Sequence, residues 1–172
     1  MLFFTFELLL GKKSILTKLQ ISMNTTRTNS DNIDFQNLVV LLDEVLRIKD
    51  GEDHAFYAQH NTLDKIKHVV VCYHEAVAIG CGAFKEFDSE TVEIKRMFVH
   101  PDYRGKGIAS AVLKELEIWA SEFNYTKCIL ETGKNNPEAI ALYQKNGYEI
   151  ISNYGQYENI ETSVCLKKSI DK

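Results

Sequence analysis

Little in this chain of 172 residues points to a disulfide staple, a metal or a membrane. Four cysteines occur, at 72, 81, 128 and 165, and none forms a C-x-x-C pair. Three lie in strand-like apolar segments, so they read as free, buried thiols of a reducing compartment, the cytoplasm. The five histidines keep no metal-ligand spacing with one another or with cysteine, and no metal site is expected. Clustered basic charge is also missing, and the formal net charge is -4. That argues against nucleic acid as a partner, since phosphate backbones reward grouped Lys and Arg. It leans toward small or cationic substrates. Proline is confined to Pro101 and Pro137, and no repeat, linker or low-complexity segment divides the chain. One domain with one core is the expectation.

No run is long enough to span a membrane. Leu2 to Leu10 is apolar but contains Glu7, has no basic stretch before it and no cleavage site after it. Residues 1–22 read as a leader, either the product of an upstream start or an added strand or helix. The domain proper is then 23–172.

What the chain does have is periodic pattern. Asp31 and Asp34 precede helical spacing at Phe35, Leu38, Val39 and Leu42. A short second helix is expected around Ala55 to Asn61. Three strands follow, His68 to Tyr73, Ala76 to Phe87 and Thr91 to Val99, separated by short polar turns that make antiparallel hairpins. A long amphipathic helix is expected from Lys106 to Phe123, with Ala109, Val112, Leu116, Trp119 and Phe123 on one face. Lys127 to Glu131 is a strand parallel to the one before the helix, by the right-handed crossover rule. Pro137 opens another helix and Gly147 closes it. Tyr148 to Ile151 and Thr162 to Lys167 are the last strands. The fold class is α+β, a three-layer α/β/α domain with a mixed, mostly antiparallel sheet.

Between strand and long helix stands Val99-His100-Pro101-Asp102-Tyr103-Arg104-Gly105-Lys106-Gly107-Ile108-Ala109. A strand, a small-residue turn and a helix N-terminus together make a phosphate site of free N–H groups and helix dipole. The G-x-G-x-x-G turn of dinucleotide folds is absent. The P-loop pattern fails because Ile108 follows Gly107.

Arg104-Gly105-Lys106-Gly107-Ile108-Ala109 resembles the Arg/Gln-x-x-Gly-x-Gly/Ala motif of the GCN5-related N-acetyltransferases. Asn136-Pro137-Glu138-Ala139-Ile140-Ala141-Leu142-Tyr143 through Gly147-Tyr148 resembles that family's second signature. The likeness covers about residues 33 to 168. It implies the acyl-CoA N-acyltransferase fold, with its central parallel strands splayed, and acetyl-CoA as co-substrate without a metal. By this resemblance, Arg104, Gly105, Lys106, Gly107, Ile108 and Ala109 cradle the pyrophosphate. Met97, Phe98 and Val99 pair with the pantetheine arm, and an N–H near Phe98 or Met97 is the oxyanion donor. Asn136 touches the coenzyme or caps its helix. Tyr143 protonates the leaving thiolate. Glu93, at the start of its strand, is the first candidate base, with Glu131 the second. Strict alternation puts Glu93, Lys95, Met97 and Val99 on one strand face, and Ile94, Arg96 and Phe98 on the other. The acceptor wall is expected from 55–63 and 153–161, with Phe56, Tyr57, Tyr154 and Tyr157. The implied activity is acetyl transfer to a primary amine of a small molecule by direct attack through an oxyanion. The alternatives are another acyl-CoA, a protein or peptide amine, or a non-catalytic CoA-binding module. A homodimer is part of the resemblance.

Overall fold

The computed structural model describes residues 22–51, 57 and 66–170. The elements are β1 (Asn24–Thr28), α1 (Ile33–Asp50), β2 (His68–His74), β3 (Val77–Glu86), β4 (Thr91–Val99), α2 (Ile108–Glu122), β5 (Lys127–Gly133), α3 (Pro137–Lys145), β6 (Glu149–Ile151) and β7 (Ser163–Ser169). The strands form one sheet in the order β1-β2-β3-β4-β5-β7-β6. Every pairing is antiparallel except β4 with β5. The leader and, apart from Tyr57, the expected helix at Ala55 to Asn61 lie outside the described residues. No helix among the described residues is long and apolar enough to cross a membrane.

Helices cover both faces, which is the expected three-layer arrangement. On one face Phe35, Leu38, Val39 and Leu42 of α1 pack on Val69, Val71, Cys81 and Phe98. On the other, Val112, Leu113 and Leu116 of α2 pack on Val70, Phe84, Val92 and Ile94, and α3 joins this second cluster through Tyr143. Burying each such aliphatic side chain contributes about 1.5–3 kcal/mol. Phe123 departs from expectation: it lies past the end of α2 and is 53% exposed.

Local signals explain the boundaries. Asn32 caps α1, its side chain accepting from Phe35 N at 2.9 Å. Asp34 in the first turn and Arg47 and Lys49 in the last suit the helix dipole. β1 is an element the sequence pattern does not announce. Its run, Asn-Thr-Thr-Arg-Thr, is polar and becomes a strand by pairing with β2 at the sheet edge.

Candidate active site

The site begins where the sheet opens. β4 and β5 pair only at Thr91↔Lys127, Val92↔Cys128 and Glu93↔Ile129. Beyond that, β4 runs on to Val99 and β5 to Gly133 without partners across the gap. A bulge in β4 accompanies the parting. Cys81 pairs with Phe98 and Ala83 with Lys95, so β4 carries one extra residue there, and Arg96 takes a φ of 58°. The bulge overturns the strict alternation expected for this strand. Ile94, Met97 and Val99 pack in the α2 cluster, while Phe98 packs under α1 and Arg96 reaches Asp43 of α1 at 2.7 Å.

Past β4 the chain makes a single 3-10 turn, Pro101–Tyr103, and then bends through two left-handed glycines, Gly105 (φ 73°) and Gly107 (φ 84°), into α2. A Cβ on either would meet no atom within 4 Å. Tight packing is therefore not why glycine stands there. The backbone conformation requires it, and the space in front stays open. Arg104 Nε donates to Val99 O at 3.1 Å, and Lys106 Nζ to Asp102 O at 3.0 Å. Both cations brace the turn.

A cavity of about 560 Å3 runs from this turn along β4. Arg104, Gly105, Gly107, Ile108 and Ala109 line one end, with Met97, Phe98 and Val99 along it. Asn136, just before α3, and Tyr143 of α3 close the other side, whereas Lys106 lies outside the lining. An open glycine turn at a helix N-terminus, leading into a cavity beside an unpaired strand edge, leaves room for a long ligand with phosphates at one end and an amide arm. Coenzyme A has that shape and chemistry.

A smaller cavity of about 130 Å3 meets the first at the opening, and the two share Leu42, Leu46, Lys49, Met97, Asn136, Ala139 and Tyr143. Tyr57, Lys95, Arg96 and Glu131 line only the smaller one. Glu131 Oε1 accepts from Ser163 Oγ at 2.6 Å, and Ser163 Oγ in turn lies 3.0 Å from the Tyr57 hydroxyl. Tyr143 is 7% exposed, and burial, then the charge of Glu131, pushes its phenol well above the usual value. Asn136 occupies the N-cap position of α3, but its side chain makes no cap bond. Its Oδ1 accepts from Lys49 Nζ at 2.7 Å.

Glu93 sits elsewhere. It is 1% exposed, lines neither cavity, and is fully engaged: Lys85 Nζ lies 3.0 Å from one oxygen, and Lys95 Nζ and the Tyr154 hydroxyl reach the other. Tyr154 and Tyr157 pack around this cluster and line neither cavity, and Phe56 lies outside the described residues. Burial raises the Tyr154 phenol strongly, and the Glu93 charge adds to it. All four cysteines are buried and free. Burial pushes the thiols of Cys81 and Cys128 up to about 12 and that of Cys165 to about 11, so none is an available nucleophile. Sequence reasoning misses Lys49 and Lys95 as cavity residues. Lys49 carries only the signal of a C-terminal helix cation, and Lys95 none.

A three-layer domain whose mixed sheet parts between β4 and β5, with a glycine cradle beside the gap, has the architecture of acyl-CoA N-acyltransferases. The chain belongs to the acetyltransferase (GNAT) family, whose model matches residues 35–148. An IAA acetyltransferase of Azospirillum brasilense is 31% identical over 102 residues, which are 59% of this chain and 67% of that protein. Across the first curated relatives it matches, the chain spans 60% to 67% of their length. Among solved structures, a Klebsiella pneumoniae protein described as an acyl-CoA N-acyltransferase superposes with a TM-score of 0.72 at 25% identity, covering 87% of this chain and 98% of that one. The PaiA N-acetyltransferase of Thermoplasma acidophilum, solved in complex with coenzyme A, shares the fold with a TM-score of 0.64 at 17% identity, covering 87% and 99%.

Proposed function

We propose that this chain transfers acetyl from acetyl-CoA to a primary amine of a small molecule by direct attack. The observation that carries the reading is the meeting of the two cavities at the β4–β5 opening, with Tyr143 lining both and Glu131 lining the acceptor side. Acetyl-CoA supplies the activated acyl group as a thioester. The backbone from Gly105 to Ala109 and the N-terminus of α2 hold its pyrophosphate. The unpaired edge of β4 at Met97 and Phe98 pairs with the pantetheine arm. The Val99 carbonyl accepts from Arg104 Nε with one of its two lone pairs. Backbone N–H groups at the bulge donate to the acyl oxygen as negative charge develops there. Glu131 takes the proton that the ammonium must lose before attack, the Tyr143 hydroxyl gives one to the departing sulfur, and the second proton shed by the attacking nitrogen as the amide forms returns to Tyr143. Asn136, held by Lys49, orients the arm. Glu93 positions Lys95 and is not the base.

The same reading has the enzyme act in the cytoplasm as a homodimer. Four buried free thiols support the first. Exposed Ile33, Val40 and Ile48 along one side of α1 support the second. Calorimetry with acetyl-CoA, followed by thiol release across a panel of amines and peptide N-termini, tests the activity. A chain that binds no acetyl-CoA is not this enzyme. Faster turnover of longer acyl-CoAs would reassign the donor.

A further inference from the structure

Lys49, Lys95 and Arg96 line the smaller cavity, and Glu131 is the single carboxylate among its described lining residues. Each cation is anchored by a carboxylate that does not line it: Glu138 for Lys49, Glu93 for Lys95 and Asp43 for Arg96. Arg96 is 8% exposed, and its Nε is buried without a hydrogen-bond partner. A buried guanidinium donor left open is costly unless something accepts from it. An arginine fork matches the two oxygens of a carboxylate.

Resting on the function proposed above, we infer that the acceptor is a small amino acid-like molecule: a primary amine that also carries a carboxylate, held by Arg96 and Lys95 while its amine meets Glu131. The anchors behind Arg96 and Lys95 keep both cations in place before the acceptor arrives. A carboxylate of the acceptor, reached by a small shift of the guanidinium that uncovers Nε, supplies the one hydrogen-bond acceptor that Nε lacks. A polyamine has no acceptor atom and would leave Arg96 Nε without a partner. The net charge of -4 is summed over the whole chain and does not describe this cavity.

The test uses the full chain loaded with coenzyme A, titrated by calorimetry with three short primary amines of equal chain length. One ends in a carboxylate, one in the corresponding amide and one in a second amine. The carboxylate is expected to bind about tenfold tighter or better, since hydrogen bonds between charged groups are stronger than neutral ones. Arg96→Asn should erase that preference while coenzyme A affinity stays within about twofold, asparagine being tolerant of the left-handed backbone there. Lys95→Met carries the comparison if Arg96→Asn no longer binds coenzyme A. Equal binding of the three, preference for the diamine, binding of none, or a preference that survives substitution overturns the inference. Failure of the unaltered chain to bind coenzyme A sinks the enzyme reading itself. Normal coenzyme A binding with the wrong acceptor preference sinks only the acceptor class.

Discussion

Gly82 of β3 lies directly against the Met97 side chain of β4, with no room for a Cβ between them. A Cβ on Gly82 would fall on Met97 Sδ, and would stand 2.9 Å from Val112 Cγ1 and 3.0 Å from Leu116 Cδ1. The bulge thus turns Met97 into space that only a glycine partner leaves free. Met97 can swing aside, but the α2 side chains behind it are packed. Gly82→Ala should therefore destabilise the fold by about 1–3 kcal/mol, the usual penalty of overpacking. It should also weaken acetyl-CoA binding, because the displaced strand edge is the one proposed to pair with the arm. Urea unfolding and calorimetry read the two effects. Unchanged stability would show that the bulge is not held by this contact.

Gly107 tests the cradle separately from the core. Its φ of 84° strains any other residue, and open space surrounds it. Gly147, beyond the end of α3, has a similar φ of 88° and lines neither cavity. Alanine at either position should cost about 1–2 kcal/mol of stability through the left-handed backbone. Only Gly107→Ala should raise the acetyl-CoA Kd, by about tenfold, or about 1.4 kcal/mol. Equal affinities for the two variants would remove phosphate approach as the reason for Gly107.

The order of strands and helices is legible in the sequence because turns, caps and periodicity are local. Gly147 at a helix end and Pro137 at a helix start need no distant partner. β1 is not legible, since a polar threonine run becomes a strand only when β2 offers it an edge. The bulge is half legible. Gly80 and Gly82 in an otherwise apolar strand signal close approach, but not the residue on β4 where the alternation changes phase. That phase change moves Met97 and Val99 to the opposite face from the one strict alternation gives them. Lys49 and Asn136 meet across 87 positions of sequence, and no motif in either segment names the other.

Two carboxylates stand as candidates for the base, and their surroundings separate them. Glu93 is buried between two lysines and a tyrosine, so Glu93→Gln leaves Lys95 and Lys85 without their counter-charge. That should destabilise the protein by about 3 kcal/mol, the scale for breaking a buried pair. The shape of the pH–rate profile should stay the same. Glu131→Gln keeps an oxygen for Ser163 and should fold normally. It should lower turnover by about a hundredfold and abolish the acid limb of the profile. Unfolding curves with pH profiles for both variants decide the matter. A profile altered by Glu93→Gln alone would hand it the role instead.

Tyr143 is the proposed acid, and its environment fixes which protonation state it holds. Burial and the nearby Glu131 both disfavour the phenolate, so the hydroxyl keeps its proton throughout the neutral range. A raised pKa in the folded state has a defined sign. The unfolded chain loses this proton first, near about pH 10, so the stability it confers is full below that pH and falls as pH rises further. Tyr143→Phe should therefore flatten the stability loss above about pH 10 relative to the unaltered protein. It should leave acetyl-CoA affinity intact and reduce turnover by about tenfold to a hundredfold, because a thiolate leaves with some ease even without an acid. The reduction should shrink with a donor whose leaving thiol is more acidic. Turnover unchanged in Tyr143→Phe would make the residue a wall of the cavity, and the proton for the sulfur would then come from the attacking nitrogen or from water.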